Sequence, residues 1–178
     1  MKKLIHIYTG DGKGKTTAAI GLAIRFLGHN FKVCFITFFK TPQKYGYGEF
    51  KALKKFQNVK LYHFAKTCPY FDKDYPIEKI KQELKEAIVS IKNEIFKENF
   101  DLVVLDEILV CVREKVLEVD ELIDLIESRP QNTELVLTGQ ANKAIIKKLE
   151  SYVDYISEIK KVKHPYDLGV KRRKGVEY

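Results

Sequence analysis

The N-terminal stretch LIHIYTGDGKGKTT, residues 4–17, couples a short apolar run to three closely spaced glycines. The run at residues 4–8 predicts a β-strand, and apolar residues at helical spacing between positions 16 and 27 predict a helix directly after the glycines. A glycine-rich turn in this context lets backbone N–H groups point at phosphate oxygens, and the helix start adds its positive dipole end. We call residues 9–17 the phosphate loop, because the arrangement predicts a nucleotide-phosphate site.

Two side chains of the phosphate loop carry specific chemistry. Lys15 supplies a positive charge for phosphate, and the Thr16 hydroxyl can ligate Mg²⁺. The strict template G-x-x-x-x-G-K-[ST] is missed by one position, because Thr9 stands where its first glycine would. A flexible turn without a ligand is the alternative interpretation, which the strand-turn-helix order disfavours. The candidate nucleotide-binding residues are Thr9, Gly10, Asp11, Gly12, Lys13, Gly14, Lys15, Thr16 and Thr17.

Apolar runs and helical patterns alternate along the rest of the chain. Strands are predicted at residues 32–39, 59–64, 102–105, 135–137 and 153–161, helices at 77–97, 119–127 and 142–150, and loops at 40–50 and 65–76. This alternation implies βαβ crossovers and a mainly parallel sheet. In 178 residues without a linker or repeat, we expect a single domain over residues 1–178. Its predicted class is α/β, a P-loop NTPase-like three-layer α/β/α fold.

A second pair of candidate residues follows the apolar strand at residues 102–105. Asp106 and Glu107 come directly after it, and the carboxyl ends of parallel strands lie beside the phosphate site in such folds. Asp106 can hold Mg²⁺ through water, and Glu107 can contact the metal or the nucleotide. An Asp that caps a helix, followed by a first-turn Glu, is the structural alternative. Arg25 on the first helix either reaches back to nucleotide or is a solvated surface residue.

The charge is unevenly distributed along the chain. The net charge is +8, with basic residues in excess over residues 1–66 and over the tail at 160–178, and acidic residues in excess between them. Such basic segments favour an anionic partner. Because no aromatic-basic motif of a nucleic-acid module is present, we expect a small polyanion and no nucleic acid.

The cysteines and the N-terminus bear on location. The chain has three cysteines, an odd number, at Cys34, Cys68 and Cys111, and none of them has C-x-x-C spacing. Neither a disulfide framework nor a zinc knuckle is therefore indicated. The apolar run at residues 4–8 is too short for a signal peptide or a membrane span. We therefore expect a cytoplasmic protein without membrane attachment.

Four segments form a more specific set: YTGDGKGKTTAAIGLAIRFLGH at the start, DLVVLDEI in the middle, SRPQNTELVLTG after it, and VKHPYDLGVKRRKGVEY at the end. Together they resemble the P-loop class of corrinoid adenosyltransferases over nearly the whole chain. The last segment is the most particular, since many unrelated NTPases share a phosphate loop. The resemblance implies that Co(I) of a reduced corrinoid attacks the 5′ carbon of ATP and releases triphosphate, in cobalamin biosynthesis or salvage.

The resemblance also implies residue roles. ATP would be held by the phosphate loop and Arg25, with Lys15 and Glu107 as catalytic residues and Thr16, Asp106 and Glu107 around Mg²⁺. Aromatic residues crowd the two long loops, and Tyr70 and Phe71 at 65–76 would contact the corrinoid. The implied partners are ATP, the corrinoid and an electron-donating flavoprotein, and the implied assembly is a homodimer.

The sequence departs from the family pattern in three respects. Gln140 follows Thr138-Gly139 where the family usually places Arg, so a phosphate contact is either lost or supplied by Lys143. The chain has no tryptophan for the corrinoid loop. Some family members carry an N-terminal helical extension that closes over the active site, whereas this chain starts at its first strand, so shielding of the site is expected from the loops at 40–50 and 65–76 or from the tail.

The alternative functions are a P-loop ATPase or kinase that acts on another acceptor, and a nucleic-acid-stimulated ATPase.

Overall fold

The structure is a computed structural model that describes residues 3–40, 46–65, 67–68 and 74–177. Its strands are β1 (Ile5–Thr9), β2 (Val33–Phe38), β3 (Val59–Phe64), β4 (Leu102–Asp106), β5 (Glu134–Thr138) and β6 (Tyr155–Glu158). Its α-helices are α1 (Lys15–Gly28), α2 (Gly48–Leu53), α3 (Ile77–Asn93), α4 (Ile108–Arg113), α5 (Val119–Glu127) and α6 (Lys143–Leu149). Short 3₁₀ turns lie at Ile95–Glu98, Glu150–Tyr152 and Pro165–Leu168.

The six strands form one sheet in the order β3-β2-β4-β5-β1-β6, and neighbouring strands are parallel. All six residues of β2 and all five of β4 are buried, as expected for central strands covered on both faces. The predicted α/β class with a mainly parallel sheet is confirmed. Because every strand runs in the same direction, the carboxyl ends of β1, β2, β4 and β5 meet at one edge.

The two faces of the sheet carry separate apolar clusters. Alternating residues divide between them: Phe35 and Val104 belong to the cluster that includes α1 and α2, whereas Ile36 and Leu105 belong to the cluster that includes α3, α4 and α5. On α3 the buried positions are Ile80, Leu84, Ala87, Ile88 and Ile91, the stripe that its sequence predicts. The result is the predicted three-layer arrangement, with the sheet between two helical layers.

Three predicted boundaries are wrong. The loop predicted through residue 50 ends earlier because α2 begins at Gly48, and Phe50 packs with its ring centre 6.1 Å from that of Phe35. The helix predicted to residue 97 ends at Asn93, and the following 3₁₀ turn lets the adjacent Ile95 and Phe96 both reach the core. The last strand covers only Tyr155–Glu158, because the chain then turns toward the phosphate loop.

Two further observations concern the cysteines and the helices. All three cysteines are buried free thiols. Among the described residues, no helix combines the length and the apolar composition that a membrane span requires.

Candidate nucleotide site at the carboxyl edge of the sheet

The phosphate loop lies between β1 and α1 and packs against the chain that leaves β6. The Gly12 N–H donates to the Ile159 carbonyl oxygen at 2.8 Å, and the Ile159 N–H donates to the Thr9 carbonyl oxygen at 2.8 Å. A Cβ on Gly10 would lie 2.3 Å from the Ile159 oxygen, and one on Gly12 would lie 2.7 Å from the Lys160 oxygen. Close backbone approach therefore requires glycine at both positions, and the Gly12 N–H is engaged by the protein itself.

The Lys15 side chain lies inside the phosphate loop. Its Nζ donates to the carbonyl oxygens of Gly10 and Gly12, both at 2.8 Å. Burial lowers the pKa of Lys15, and the nearby carboxylates of Glu107 and Asp11 offset part of that effect. The ammonium thus occupies the interior of the loop that the sequence predicts to hold phosphate.

Thr16 and Asp106 are in direct contact across the sheet edge. Thr16 Oγ1 donates to Asp106 Oδ1 at 2.8 Å, and Thr138 Oγ1 donates to the same oxygen at 2.7 Å. Asp106 is completely buried, and Thr138 ends the neighbouring strand β5. The two hydroxyls fix the orientation of the carboxylate, whose second oxygen faces a different partner.

That partner is Lys40, which the sequence reasoning did not identify as a site residue. Its Nζ lies 2.5 Å from Asp106 Oδ2 and 3.0 Å from Thr16 Oγ1, and its side chain is only 12% exposed. Burial alone would lower the pKa of Lys40, but the carboxylates of Asp106 and Glu107 outweigh burial and raise it. The ammonium also lies 5.7 Å from the centre of the Tyr47 ring. Lys40 reaches Asp106 because β2 lies beside β4, a pairing that the local sequence does not show.

Glu107 follows Asp106 with a left-handed backbone conformation, φ +69°. Holding a non-glycine residue in that region costs about 1 kcal/mol or more. The Glu107 N–H donates to Thr138 Oγ1 at 3.0 Å, and the residue as a whole is half-buried. Burial raises the pKa of Glu107, the Asp106 charge raises it further, and Lys40 and Lys15 offset part of the increase. The helix-capping alternative is wrong, because Glu107 is the N-cap residue of α4 and its side chain makes no capping bond.

The exposed residues of the phosphate loop contact the C-terminal part of the chain. Asp11 accepts a hydrogen bond from the Lys161 N–H at 2.8 Å, and this bond lowers the pKa of Asp11. Lys13 Nζ donates to Glu177 Oε1 at 3.2 Å. These two contacts fasten the tail to the loop.

Thr17 and Arg25 lie on α1, outside this cluster. Thr17 is exposed in the first turn of the helix. Arg25 is also exposed, and ten residues of helix place it about 15 Å along the axis from Lys15. Its charge acts on the Tyr8 hydroxyl, whose pKa is raised by burial and lowered in part by Arg25. The structure does not bring Arg25 to the phosphate loop.

The tail continues over the same edge of the sheet. The Arg172 guanidinium lies 5.8 Å from the centre of the Tyr47 ring, on which Lys40 also rests. Arg173 binds the Glu177 carboxylate through its side chain and its backbone N–H, and these bonds lower the pKa of Glu177 to about 2. The basic tail is therefore part of the surroundings of the phosphate loop.

Gln140 has an arginine partner in space. Arg113 Nη1 donates to Gln140 Oε1 at 2.9 Å, and the Arg113 charge contributes to the lowered pKa of Lys15. Lys143, expected to compensate for Gln140, is the first residue of α6 and is exposed. The cation placed beside Gln140 is therefore Arg113. An open cleft of about 370 Å³ lies next to it, lined by Gly10, Asp11, Gln140, Ala141, Glu158, Lys160 and Lys161.

The two candidate corrinoid residues, Tyr70 and Phe71, lie outside the described residues. The same holds for Tyr45 in the other aromatic loop. Of the remaining loop aromatics, Tyr47 is buried beside Lys40, and the Tyr75 hydroxyl donates to Glu83 at 2.8 Å.

The donor set at Thr16 and Asp106 is suited to Mg²⁺. A hydroxyl and a carboxylate are hard oxygen ligands, and Mg²⁺ commonly uses one or two such protein groups together with water and substrate phosphates. No group of three or more His, Cys, Asp or Glu side chains arranged to hold a metal occurs within the described ranges. The residues thus fit a nucleotide-bound Mg²⁺ and do not form a metal cage of their own.

Comparison with known proteins assigns the chain to a family. The sequence model described as "ATP:corrinoid adenosyltransferase BtuR/CobO/CobP" matches residues 1–178. The chain belongs to this family. It carries out ATP-dependent adenosyl transfer to a corrinoid, and no comparison favours a kinase or a nucleic-acid-stimulated ATPase.

Individual relatives agree with the family assignment. The corrinoid adenosyltransferase of Escherichia coli K12 is 31% identical over 175 residues, which cover 98% of this chain and 85% of that protein. The corrinoid adenosyltransferase of Pseudomonas aeruginosa is 31% identical over 179 residues, covering 98% and 83%. The crystal structure of the flagellar accessory protein FlaH from Methanocaldococcus jannaschii shares the fold, with a TM-score of 0.59 at 13% identity over 88% of this chain and 70% of that one.

Proposed function

We propose that the sheet edge around the phosphate loop is the catalytic site of the adenosyl transfer. The observation that supports it is the convergence of Lys15 and Thr16 with Asp106 and Glu107, from two separate segments, in a chain that matches the family over its whole length. In the reaction, Co(I) of the reduced corrinoid attacks C5′ of ATP. The Co–C bond forms, the C5′–O5′ bond breaks, and its electron pair leaves on triphosphate while cobalt is formally oxidised to Co(III).

The leaving group determines what the protein must do. Triphosphate carries several negative charges, so fixed positive groups that face it lower the barrier to C–O cleavage. Lys15 now binds two carbonyl oxygens of its own loop, and on ATP binding its ammonium would turn to phosphate oxygens. Arg113 beside Gln140 adds a second cation at the same edge.

Thr16 and Asp106 would hold Mg²⁺, with Glu107 beside them. When bound, the ion neutralises part of the charge that develops on triphosphate. The Thr138 hydroxyl orients Asp106 by donating a 2.7 Å hydrogen bond to its carboxylate, and the same hydroxyl accepts a hydrogen bond from the Glu107 N–H. The rest of the phosphate loop would bind the triphosphate, while Arg25 would reach a nucleotide only if the nucleotide extends along α1.

The corrinoid would approach the loops that follow β2 and β3, since both strands end at this sheet edge. Tyr70 and Phe71 stay the proposed contacts for its lower face, where an aromatic side chain would displace the axial ligand and allow Co(I) to form. We further propose a cytoplasmic enzyme, consistent with the three free thiols, that works as a homodimer with a flavoprotein as electron donor.

An activity assay tests this function. Purified protein is incubated with ATP, Mg²⁺ and a chemically reduced corrinoid under anaerobic conditions, and the light-sensitive spectrum of the Co–C product is followed. We expect product only when both substrates are present. Hydrolysis of ATP to ADP and phosphate that is indifferent to the corrinoid would contradict the proposal.

A further inference from the structure

Lys40 lies at a position that the proposed metal site also needs. It follows β2, which pairs with β4 so that Thr37 is in register with Asp106. The segment after β2 therefore passes directly beside the Asp106 carboxylate. Lys40 Nζ is 2.5 Å from Asp106 Oδ2 and 3.0 Å from Thr16 Oγ1, so one ammonium bridges both side chains.

The contacts of Asp106 explain why a cation is needed there. Asp106 is fully buried, and a buried carboxylate requires a compensating charge. Its Oδ1 accepts bonds from Thr16 and Thr138, which are neutral donors. Its Oδ2 accepts a bond only from Lys40 among the described residues, so Lys40 supplies the countercharge.

We propose that Lys40 is the internal counter-ion of the nucleotide-free site and that a divalent cation enters only together with ATP. This inference rests on the proposed function, because it takes Thr16 and Asp106 as the side chains that hold Mg²⁺. The ammonium and a divalent cation repel each other and need the same oxygens, so the two do not share the site.

Bound ATP changes this competition between Lys40 and the divalent cation. Without ATP, a divalent cation that displaced Lys40 would break the ion pair with Asp106 while the lysine side chain stays largely buried beside Tyr47. The triphosphate supplies oxygen ligands for the metal and, at the same time, an anionic partner for the displaced ammonium. Lys40 therefore makes the binding of metal and nucleotide cooperative, which is a positioning role and does not require contact with the reacting carbon.

The test measures metal binding in the absence of nucleotide. Mn²⁺ replaces Mg²⁺, and the free ion is counted by electron paramagnetic resonance. We expect Lys40→Met to bind Mn²⁺ about tenfold or more tighter than the unaltered protein, a factor within the usual range for coupled ligands. Lys40→Arg, which keeps the charge, should bind no tighter than the unaltered protein. Equal Mn²⁺ affinity in Lys40→Met and the unaltered protein would overturn the proposal.

Two controls locate the effect. Lys60→Met removes a lysine of β3 that pairs with Glu98, the last residue of the 3₁₀ turn Ile95–Glu98, and should leave Mn²⁺ affinity unchanged. Adding Asp106→Asn to Lys40→Met should return Mn²⁺ binding to the weak level. Tight binding that survives this second substitution would place the metal elsewhere and would overturn the proposal.

A measurement on the unaltered protein covers the case in which Lys40→Met does not fold. In protein labelled with ¹⁵N-lysine, the ammonium resonance absent from Lys40→Arg belongs to Lys40. We expect Mg²⁺ alone to leave this resonance in place and Mg²⁺ with ATP to shift it. A resonance that stays unchanged at saturating Mg²⁺-ATP would overturn the proposal. Because neither experiment requires corrinoid turnover, their failure is distinct from failure of the adenosyl transfer.

Discussion

Lys15 is the residue whose removal should affect ATP binding most. Its ammonium is held by two carbonyl oxygens inside the phosphate loop, where we propose that the triphosphate binds. A hydrogen bond to a charged group contributes about 1.5–3 kcal/mol, so Lys15→Ala should weaken ATP binding roughly 10- to 150-fold. Calorimetric titration measures the change, and Lys92→Ala, which breaks an ion pair with Asp124 on α5, is the control. ATP affinity unaffected by Lys15→Ala would mean that the loop does not hold the nucleotide.

Glu107 should give the folded state a characteristic pH dependence. Burial raises its pKa, so the folded protein binds the proton more tightly than the unfolded chain does. Its contribution to stability is complete below the ordinary carboxyl pKa of about 4.5 and is lost as the pH rises through the raised value. Glu107→Gln should therefore gain stability over the unaltered protein as the pH increases.

Unfolding midpoints between about pH 5 and 8 measure this difference. Glu127→Gln, at an exposed position on α5, controls for the loss of one carboxylate. A difference between Glu107→Gln and the unaltered protein that shrinks as the pH rises would refute the assignment.

Some site residues could be predicted from local sequence and others could not. Lys15, Thr16, Asp106 and Glu107 stand next to strand and helix signals that fix where they lie. Lys40 belongs to a segment read as a loop, and its contact with Asp106 depends on β2 pairing with β4, which are more than sixty residues apart. Strand order is a tertiary property, so no local pattern revealed this contact.

At the scale of elements, the phosphate loop depends on its close packing against the chain after β6. A Cβ on Gly12 would lie 2.7 Å from the Lys160 carbonyl oxygen, whereas one on Gly21 in α1 would meet nothing within 4 Å. Gly12→Ala should therefore lower both the unfolding midpoint and ATP affinity. Gly21→Ala should raise stability by up to about 1 kcal/mol, because alanine is the better helix former. Thermal unfolding and ATP titration of both variants measure these effects. If Gly12→Ala changed neither the unfolding midpoint nor ATP affinity, the close backbone contact would not be needed.

At the same scale, some elements could be predicted from sequence patterns and one helix could not. Short apolar runs predict the strands β1 to β5, of which β3 has the weaker pattern, and a helical repeat of apolar residues predicts α3, all within a few residues of the observed bounds. The short helix α2 lies in a segment whose glycines and proline indicate a loop, and it forms because Phe50 and Leu53 are buried against the sheet. Tertiary packing thus overrides a weak local preference.

At the scale of the whole molecule, the chain closes on itself, since the C-terminal tail lies on the N-terminal phosphate loop. Lys13 and Glu177 are 164 positions apart and form an ion pair, and Arg173 holds the same carboxylate. Residues 171–174 form an exposed basic run that the Glu177 carboxylate holds in place through Arg173. Glu177→Ala should release the tail and make this run more mobile. Limited digestion with trypsin should then cut that run several times faster.

Glu158→Ala is the matched control, because Glu158 also pairs with a lysine of the tail, Lys160, at 3.6 Å. Equal digestion rates in Glu177→Ala and the unaltered protein would show that this ion pair does not hold the tail.

The docked tail also explains the charge pattern, since it brings the C-terminal basic segment beside the basic N-terminal third. The sequence indicated an anionic partner, and the fold brings Lys13, Lys15 and Lys40 of the N-terminal third to the phosphate loop together with Lys161 and Arg172 of the tail.

The identity of the leaving group tests the account most directly. ³¹P nuclear magnetic resonance can follow ATP during anaerobic turnover with a reduced corrinoid while the Co–C product is counted by its absorbance. We predict one inorganic triphosphate for each adenosylated corrinoid, with both absent when Lys15→Ala replaces the unaltered enzyme. Formation of ADP and phosphate in place of triphosphate, or triphosphate without adenosylated corrinoid, would contradict the assignment of this site to adenosyl transfer.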